Sequence, residues 1–334
     1  MGLADLVMGS RATKAQRPLL VGAGVIAANF PDIDVAYSII TPAPVGYLLH
    51  HRGHTHTIAG LVLLGLALVG TYWFARSVRK MRVSELLRFW LLIAAALASH
   101  LALDALNNYG VHPYYPGDNR WRYGDALFIF EPWLWVILGV AVAWNGRTRA
   151  TRLAAAVPLL IGLGAIASTG IVPLESAAAL AIVGGVFAWM SRGLSPPVRA
   201  AAAFALCGLM IAGLIGTSRI ARRAVADALA PEVQGPLVDL ALTPNPSSPL
   251  CWGAIAIEMR EGANEYVLWK GTLSLAPGWR APATCASHWF DGAPEVRTVG
   301  GGRLTLERIV HQPLPRLRAL AERDCWVQAW LRFG

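Results

Sequence analysis

The chain has 334 residues, of which 55% are hydrophobic and only 15% charged, and it carries a formal net charge of +9. A mean hydropathy of +0.47 excludes an ordinary water-soluble domain and an intrinsically disordered segment, and points to a membrane protein. The positive charge would suit nucleic acid, but its placement argues against that partner. Basic residues gather in alternate loops: Arg11, Lys14 and Arg17, then Arg76, Arg79, Lys80, Arg82 and Arg88, then Arg147, Arg149 and Arg152, then Arg192 and Arg199. This is the pattern that holds cytoplasmic loops inside a cell membrane.

Apolar runs follow in chain order at 19–30, 58–74, 86–106, 132–144, 153–169, 177–190 and 198–215. Most approach the length of a bilayer-spanning helix; the first and the sixth are short. The expected fold is mainly α: a polytopic helical bundle over residues 1–217, followed by a small α/β domain over 218–334. The basic start and the apolar stretch at 19–28 faintly resemble a signal peptide, but an uncleaved segment is favoured because Asp32 follows so closely. In the C-terminal part, alternation at 254–259, 266–275 and 303–308 predicts strands. The Pro- and Ser-rich stretch 243–249 predicts a loop, and 219–229 and 314–323 predict helices. Cys207 lies in an apolar run. Cys251, Cys285 and Cys325 leave room for one disulfide outside the cytoplasm.

The charge pattern puts one set of side chains on the outer, periplasmic face. Pro31-Asp32-Ile33-Asp34 ends the first apolar run. In an extended segment alternate residues point the same way, and two such carboxylates repel unless a cation lies between them. Alone, the pair reads as well as solvated acids at a helix end. His50, His51, His54 and His56 crowd one short segment with Arg52. Neutral imidazole is a common metal ligand, Arg52 is suited to a phosphate or carboxylate, Thr55 would cap the helix that begins near Ile58, and Gly53 would allow a tight approach. His100 and Asp104, four apart on a helix, share a face. An isolated pair of this kind is more simply a hydrogen bond tying helices together. The aromatic loop 107–131 offers His112 and Asp125 as further ligands, and Arg120 and Arg122 as anion holders; its Tyr and Trp residues suit the membrane interface.

Taken in order, Pro-Asp-Ile-Asp, His-Arg-Gly-x-Thr-His, His-x-x-x-Asp, Asn-Tyr-Gly-Val, Gly-Asp and Glu-Pro-Trp-Leu-Trp resemble the LexA-regulated, membrane-bound metal-dependent hydrolases of bacterial inner membranes. The resemblance covers roughly residues 1–145. It implies a multi-pass inner-membrane hydrolase with Asp32, Asp34, His51, His56, His100, Asp104 and Asp125 as metal-site candidates. Where members often carry Thr-His near the start, this chain has Ala4-Asp5, so Asp5 would have to substitute. The His-x-x-x-Asp element is also similar to one in zinc-dependent phospholipases C, which suggests a phosphoester.

The resulting expectation is a hydrolase holding one or two divalent ions, zinc by ligand type, at the outer face. The activated water would attack an ester or phosphoester, with a membrane lipid or lipid-linked molecule as substrate. Asp32 or Asp104 would act as base or bridge, and Arg52 would balance developing charge. An ion- or proton-coupled transporter and a non-catalytic scaffold are the alternatives.

Overall fold

The computed structural model describes residues 16–41, 47, 51–74, 76–146, 148–168, 170–285 and 297–333. Asp5 and His50 lie outside them.

Helix α1, Gln16–Asn29, runs into a 3-10 segment, Phe30–Ile39, opened by Pro31. A shorter 3-10 turn, His54–His56, precedes α2, Ile58–Trp73. After one turn at Arg76–Arg79 come α3, Val83–Asp104, and, past the 107–131 loop, α4, Pro132–Trp144. Helices α5, Arg149–Ser168, α6, Leu174–Met190, and α7, Pro196–Leu229, complete the helical part. Among the described residues, Gln16–Tyr37, Val83–Asp104 and Pro196–Leu229 are long and apolar enough to cross a membrane; α2, α4 and α6 are apolar but shorter.

The packing stripes follow helical periodicity. Leu20, Ala23 and Ala27 of α1 bury against Phe89, Leu92, Ile93, Ala96 and Leu97 of α3. This contact brings the end of α1 to the end of α3, which matters for the site below.

Helix α7 does not stop where the sequence suggests a domain boundary at 217/218. Its 34 residues extend about 50 Å at 1.5 Å per residue, well beyond a hydrocarbon core of about 30 Å. Ala221, Val225, Ala228 and Leu229 of its last turns pack under a sheet, against Leu240, Leu242, Trp252, Val267 and Leu304. One helix therefore serves both parts of the chain.

The sheet is antiparallel, ordered β1 (Leu237–Asn245), β2 (Ser248–Arg260), β3 (Glu265–Ser274), β5 (Leu304–Pro313), β4 (Arg297–Val299). The expected loop at 243–249 is mostly strand: Thr243 and Pro244 pair with Gly253 and Trp252, and only the turn between Asn245 and Ser248 reverses the chain. Cys251 and Cys285 form a disulfide, while Cys207 is buried and Cys325 exposed as free thiols. Helices α8, Leu314–Arg323, and α9, Cys325–Phe333, follow.

The sheet joins the helical part on the side where α1 and α3 end. Asn108 Nδ2 donates to Thr243 Oγ1 at 2.7 Å, Ser247 N to Glu131 Oε1 at 3.1 Å, and Trp133 Nε1 to the Ser247 carbonyl at 3.2 Å. Asp125 Oδ2 accepts from Leu242 N at 3.1 Å and from Arg222 Nη2 at 2.5 Å. Glu131 is 3% exposed. Burial pushes its carboxyl up to about 7, despite the amides of Ser247 and Trp133 that favour the anion.

Candidate metal centre

Four side chains from three segments meet where α1 and α3 end and α2 begins. One ligand-type atom each from Asp32, His56, His100 and Asp104 lies within 4.8 Å of the others. His56 Nε2 is 3.0 Å from His100 Nε2, 3.4 Å from Asp32 Oδ1 and 3.2 Å from Asp104 Oδ2. His100 Nε2 is 3.4 Å from Asp32 Oδ1 and from Asp104 Oδ2.

The surrounding contacts decide which way the imidazoles face. His100 Nδ1 is 2.7 Å from the Ala28 carbonyl, which only accepts, so Nδ1 carries the proton. His56 Nδ1 is 3.1 Å from Asp34 Oδ2, a carboxylate, so it too donates there. In the neutral imidazoles both Nε2 lone pairs then point at one another and at two carboxylate oxygens. Asp104 Oδ2 is buried and hydrogen-bonds to neither histidine, near as they are. With both imidazoles neutral, four electron-rich atoms converge there, a group that could hold a metal ion. The electrostatics agree: burial disfavours the His56 imidazolium, yet the adjacent carboxylates of Asp104, Asp32 and Asp34 outweigh it and push His56 up to about 10. The pocket draws positive charge to its centre.

Local structure sets each ligand. Asp32 and Asp34 do not face the same way, contrary to the extended-segment expectation. In a 3-10 helix with three residues per turn, residues two apart diverge by about 120°. Asp32 turns to the cluster, its side chain 44% exposed. Asp34 turns inward, 2% exposed, and organises the histidine segment. It meets His51 Nδ1 at 3.1 Å and His56 Nδ1 at 3.1 Å, and it accepts from Arg52 N at 2.9 Å and Thr55 Oγ1 at 2.5 Å. Thr55 is thus an Asp34 partner; the helix cap is Thr57, whose Oγ1 accepts from Gly60 N at 2.8 Å. Gly60 has a steric reason: a Cβ there would sit 2.0 Å from the His54 carbonyl, so only glycine lets the 54–56 turn fold back on α2.

Arg52 is not free for a substrate. It is 2% exposed and adopts φ 61°, a left-handed conformation that costs a non-glycine residue about 1–3 kcal/mol. Three contacts hold it: its amide to Asp34, Nη2 to Asp104 Oδ1 at 3.0 Å and Nη1 to Asn107 Oδ1 at 2.7 Å. The guanidinium also lies 4.9 Å from the Tyr109 ring. It anchors one oxygen of Asp104 and leaves Oδ2 directed at the cluster.

The structure brings Asp32, His56, His100 and Asp104 together, and sets Asp34, His51 and Arg52 around them. Asp125 is elsewhere: its carboxylate binds Arg222 and the Leu242 amide at the sheet joint. His112 has Gly53 O 3.1 Å from Nε2 and Asn119 Oδ1 3.0 Å from Nδ1, and it stacks on Trp121. Arg120 and Arg122 both pair with Asp118 on the surface. Asn107, Thr55 and the Ala28 carbonyl were not foreseen as site groups. Only Asn107 had a signal, standing three residues after Asp104.

Residues 1–173 match the model of the YdjM inner membrane protein family, just over half of the chain. The chain belongs to the YdjM inner membrane protein family. No curated protein and no solved structure matches it. The YdjM match includes all four clustered side chains together with Asp34, His51 and Arg52, and it ends before α7 and the sheet. Membership places the chain among inner membrane proteins, in keeping with its apolar helices.

Proposed function

We propose that the chain is a membrane-bound, metal-dependent hydrolase with its centre on the outer, periplasmic side. The observation that carries this is the facing pair of Nε2 atoms, 3.0 Å apart, flanked by Asp32 and Asp104. Two imidazoles and the Asp104 carboxylate, with a fourth position left for water, suit a catalytic zinc. One ion fits the charge: Asp32, Asp34 and Asp104 against Arg52 leave two negative charges with neutral histidines, and one divalent cation cancels them. Bound there, such an ion supplies Lewis-acid polarisation and a lowered pKa for attacking water.

The protein groups have separable roles. His56, His100 and Asp104 are the inner ligands, each fixed by a second contact: to Asp34, to the Ala28 carbonyl and to Arg52. Partners of this kind set ring orientation and ligand basicity. Asp32, the exposed member, is placed to accept the proton of the attacking water. The water oxygen bonds to the carbonyl carbon or phosphorus of an ester, the bond to the ester oxygen breaks, and the departing alcohol takes up the proton. Arg52 acts through Asp104 and not on the substrate.

The test is hydrolysis of aryl ester and phosphoester probes, with metal analysis, by the full chain and its Asp104→Ala and Asp32→Asn variants. Asp104→Ala should lose both metal and hydrolysis; Asp32→Asn should keep metal and lose most of the rate. Full hydrolysis by Asp104→Ala refutes the assignment.

A further inference from the structure

Helices α2 and α3 meet at Tyr72 and Phe89, whose ring centroids lie 5.4 Å apart, and near Gly65 and Leu97, but leave an apolar cleft along one side of that contact. Ala94, Ala98 and Ala102, spaced by four along one face of α3, and Gly65 of α2 are among the small residues that line this cleft of about 660 Å³. That volume lies within the roughly 300–1,000 Å³ of small-molecule sites. Leu61, Val69, Leu97 and Leu101 line it, with almost no polar surface. From Leu87 to Ala105 of its lining it follows α3 for about 27 Å at 1.5 Å per residue, close to the thickness of a bilayer's hydrocarbon core.

Its upper end falls at the metal centre. Ile58, Leu101 and Ala105 line the cleft; Leu101 and Ala105 directly follow His100 and Asp104, and Ile58 lies two residues after His56. The cleft is open on one side: Val62, Leu66, Leu87 and Leu91 of its own lining are exposed, as is Leu63 beside them, as on segments bathed in lipid.

We propose that this cleft receives one hydrocarbon chain of a bilayer phospholipid and so presents that lipid's head-group ester at the level of Asp32, His56, His100 and Asp104. This rests on the hydrolase reading and narrows its substrate to a lipid. The shape selects the occupant. A helix of about 10–12 Å diameter is far wider than a groove of about 660 Å³ spread along about 27 Å and would seat only a narrow stripe of side chains in it, which makes a helix of a second copy the poorer fit. A small polar molecule would find almost no polar surface along the lining, the Trp90 indole N–H being buried. An extended acyl chain needs only width, length and apolar walls, and the cleft has all three.

The test uses the full chain in vesicles of phosphatidylethanolamine and phosphatidylglycerol, doped with phosphatidylglycerol carrying a mid-chain diazirine. After illumination, adducts are counted at Leu101 and Ala102 relative to Leu160, Ile161 and Leu209, which are exposed apolar residues on α5 and α7. The expected result is about a tenfold enrichment in the cleft, falling to parity in Ala98→Trp with metal content unchanged. Even labelling of cleft and comparison positions in the wild-type chain overturns the proposal whether or not Ala98→Trp folds, as does cross-linking of α3 to another copy. Metal content, measured in the same samples, separates the two readings. Enrichment without metal defeats the hydrolase and spares the cleft; metal without enrichment does the reverse.

Discussion

His56 Nε2 and His100 Nε2 lie 3.0 Å apart although the two residues are 44 positions apart in the chain. Neither ring can turn away without abandoning a partner, the buried Asp34 for one and the Ala28 carbonyl for the other. The two residues are therefore expected to contribute to one site. His56→Ala and His100→Ala should each lower divalent-metal content sharply, and, because both serve one site, the double variant should hold no metal and show no second, independent loss. Metal analysis of the purified full chain checks this.

Asp34 touches the imidazoles from behind. Removing a partner of this kind costs about 10–100-fold in metal affinity or activity. Asp34→Ala should therefore weaken zinc binding by about that factor yet still fill one site at saturating zinc, whereas Asp104→Ala should not fill. Competition with a chelator of known affinity distinguishes the two.

How far the residue pattern alone led differs by region. Asp32, His56, His100 and Asp104 were legible because each is a metal-ligand type placed at the edge of an apolar run, where an unpaired polar group is costly. The division of labour was not. It depends on Phe30–Ile39 being a 3-10 helix, which turns Asp34 away from Asp32, and no spacing rule showed that. Asp125 was misread because its partner, Arg222, lies 97 residues away on a helix expected to divide at residue 217. Arg52 looked available because burial is invisible in a local motif. The strands were legible from alternation, and the 243–249 stretch was misplaced because Pro244 sits on the edge strand β1 and Pro246 in the hairpin turn, where missing amides are tolerated, while Pro249 stands at the start of β2.

The joint between the helices and the sheet rests on Asp125, 2% exposed, and the half-exposed Arg222. Asp125→Ala strands the Leu242 amide and takes one partner from Arg222, which keeps the Leu240 carbonyl. The expected loss is about 1–3 kcal/mol, read as earlier unfolding of the sheet, with metal content retained at temperatures where the protein stays folded.

Glu131 makes that joint pH-dependent. Its folded pKa of about 7 stands above the usual value of about 4.3 for a glutamate in an unfolded chain. A raised value means that its stabilising contribution is fully present below about pH 4.3 and is lost as pH rises through about 7. The change is at most about 3–4 kcal/mol at 1.36 kcal/mol per unit. Thermal unfolding of the detergent-solubilised chain should therefore fall between pH 5 and pH 8, and Glu131→Gln should flatten that dependence.

The Cys251–Cys285 disulfide closes a loop over a separation of 34 residues. Loop-closure entropy gives it about 4 kcal/mol, so reduction should destabilise the sheet. If the sheet is periplasmic, Cys325 should react in intact cells with a membrane-impermeant maleimide, and Cys251 and Cys285 should react only after reduction.

The most direct test of the centre is X-ray absorption at the zinc edge on the full chain, with metal counted per chain. One zinc per chain, with nitrogen and oxygen neighbours at about 2.0–2.1 Å, an imidazole signature and loss of the signal in the His56→Ala/His100→Ala double variant, is the expected result. A folded, catalytically active chain that holds no metal, or a zinc signal unchanged in the double variant, would contradict it.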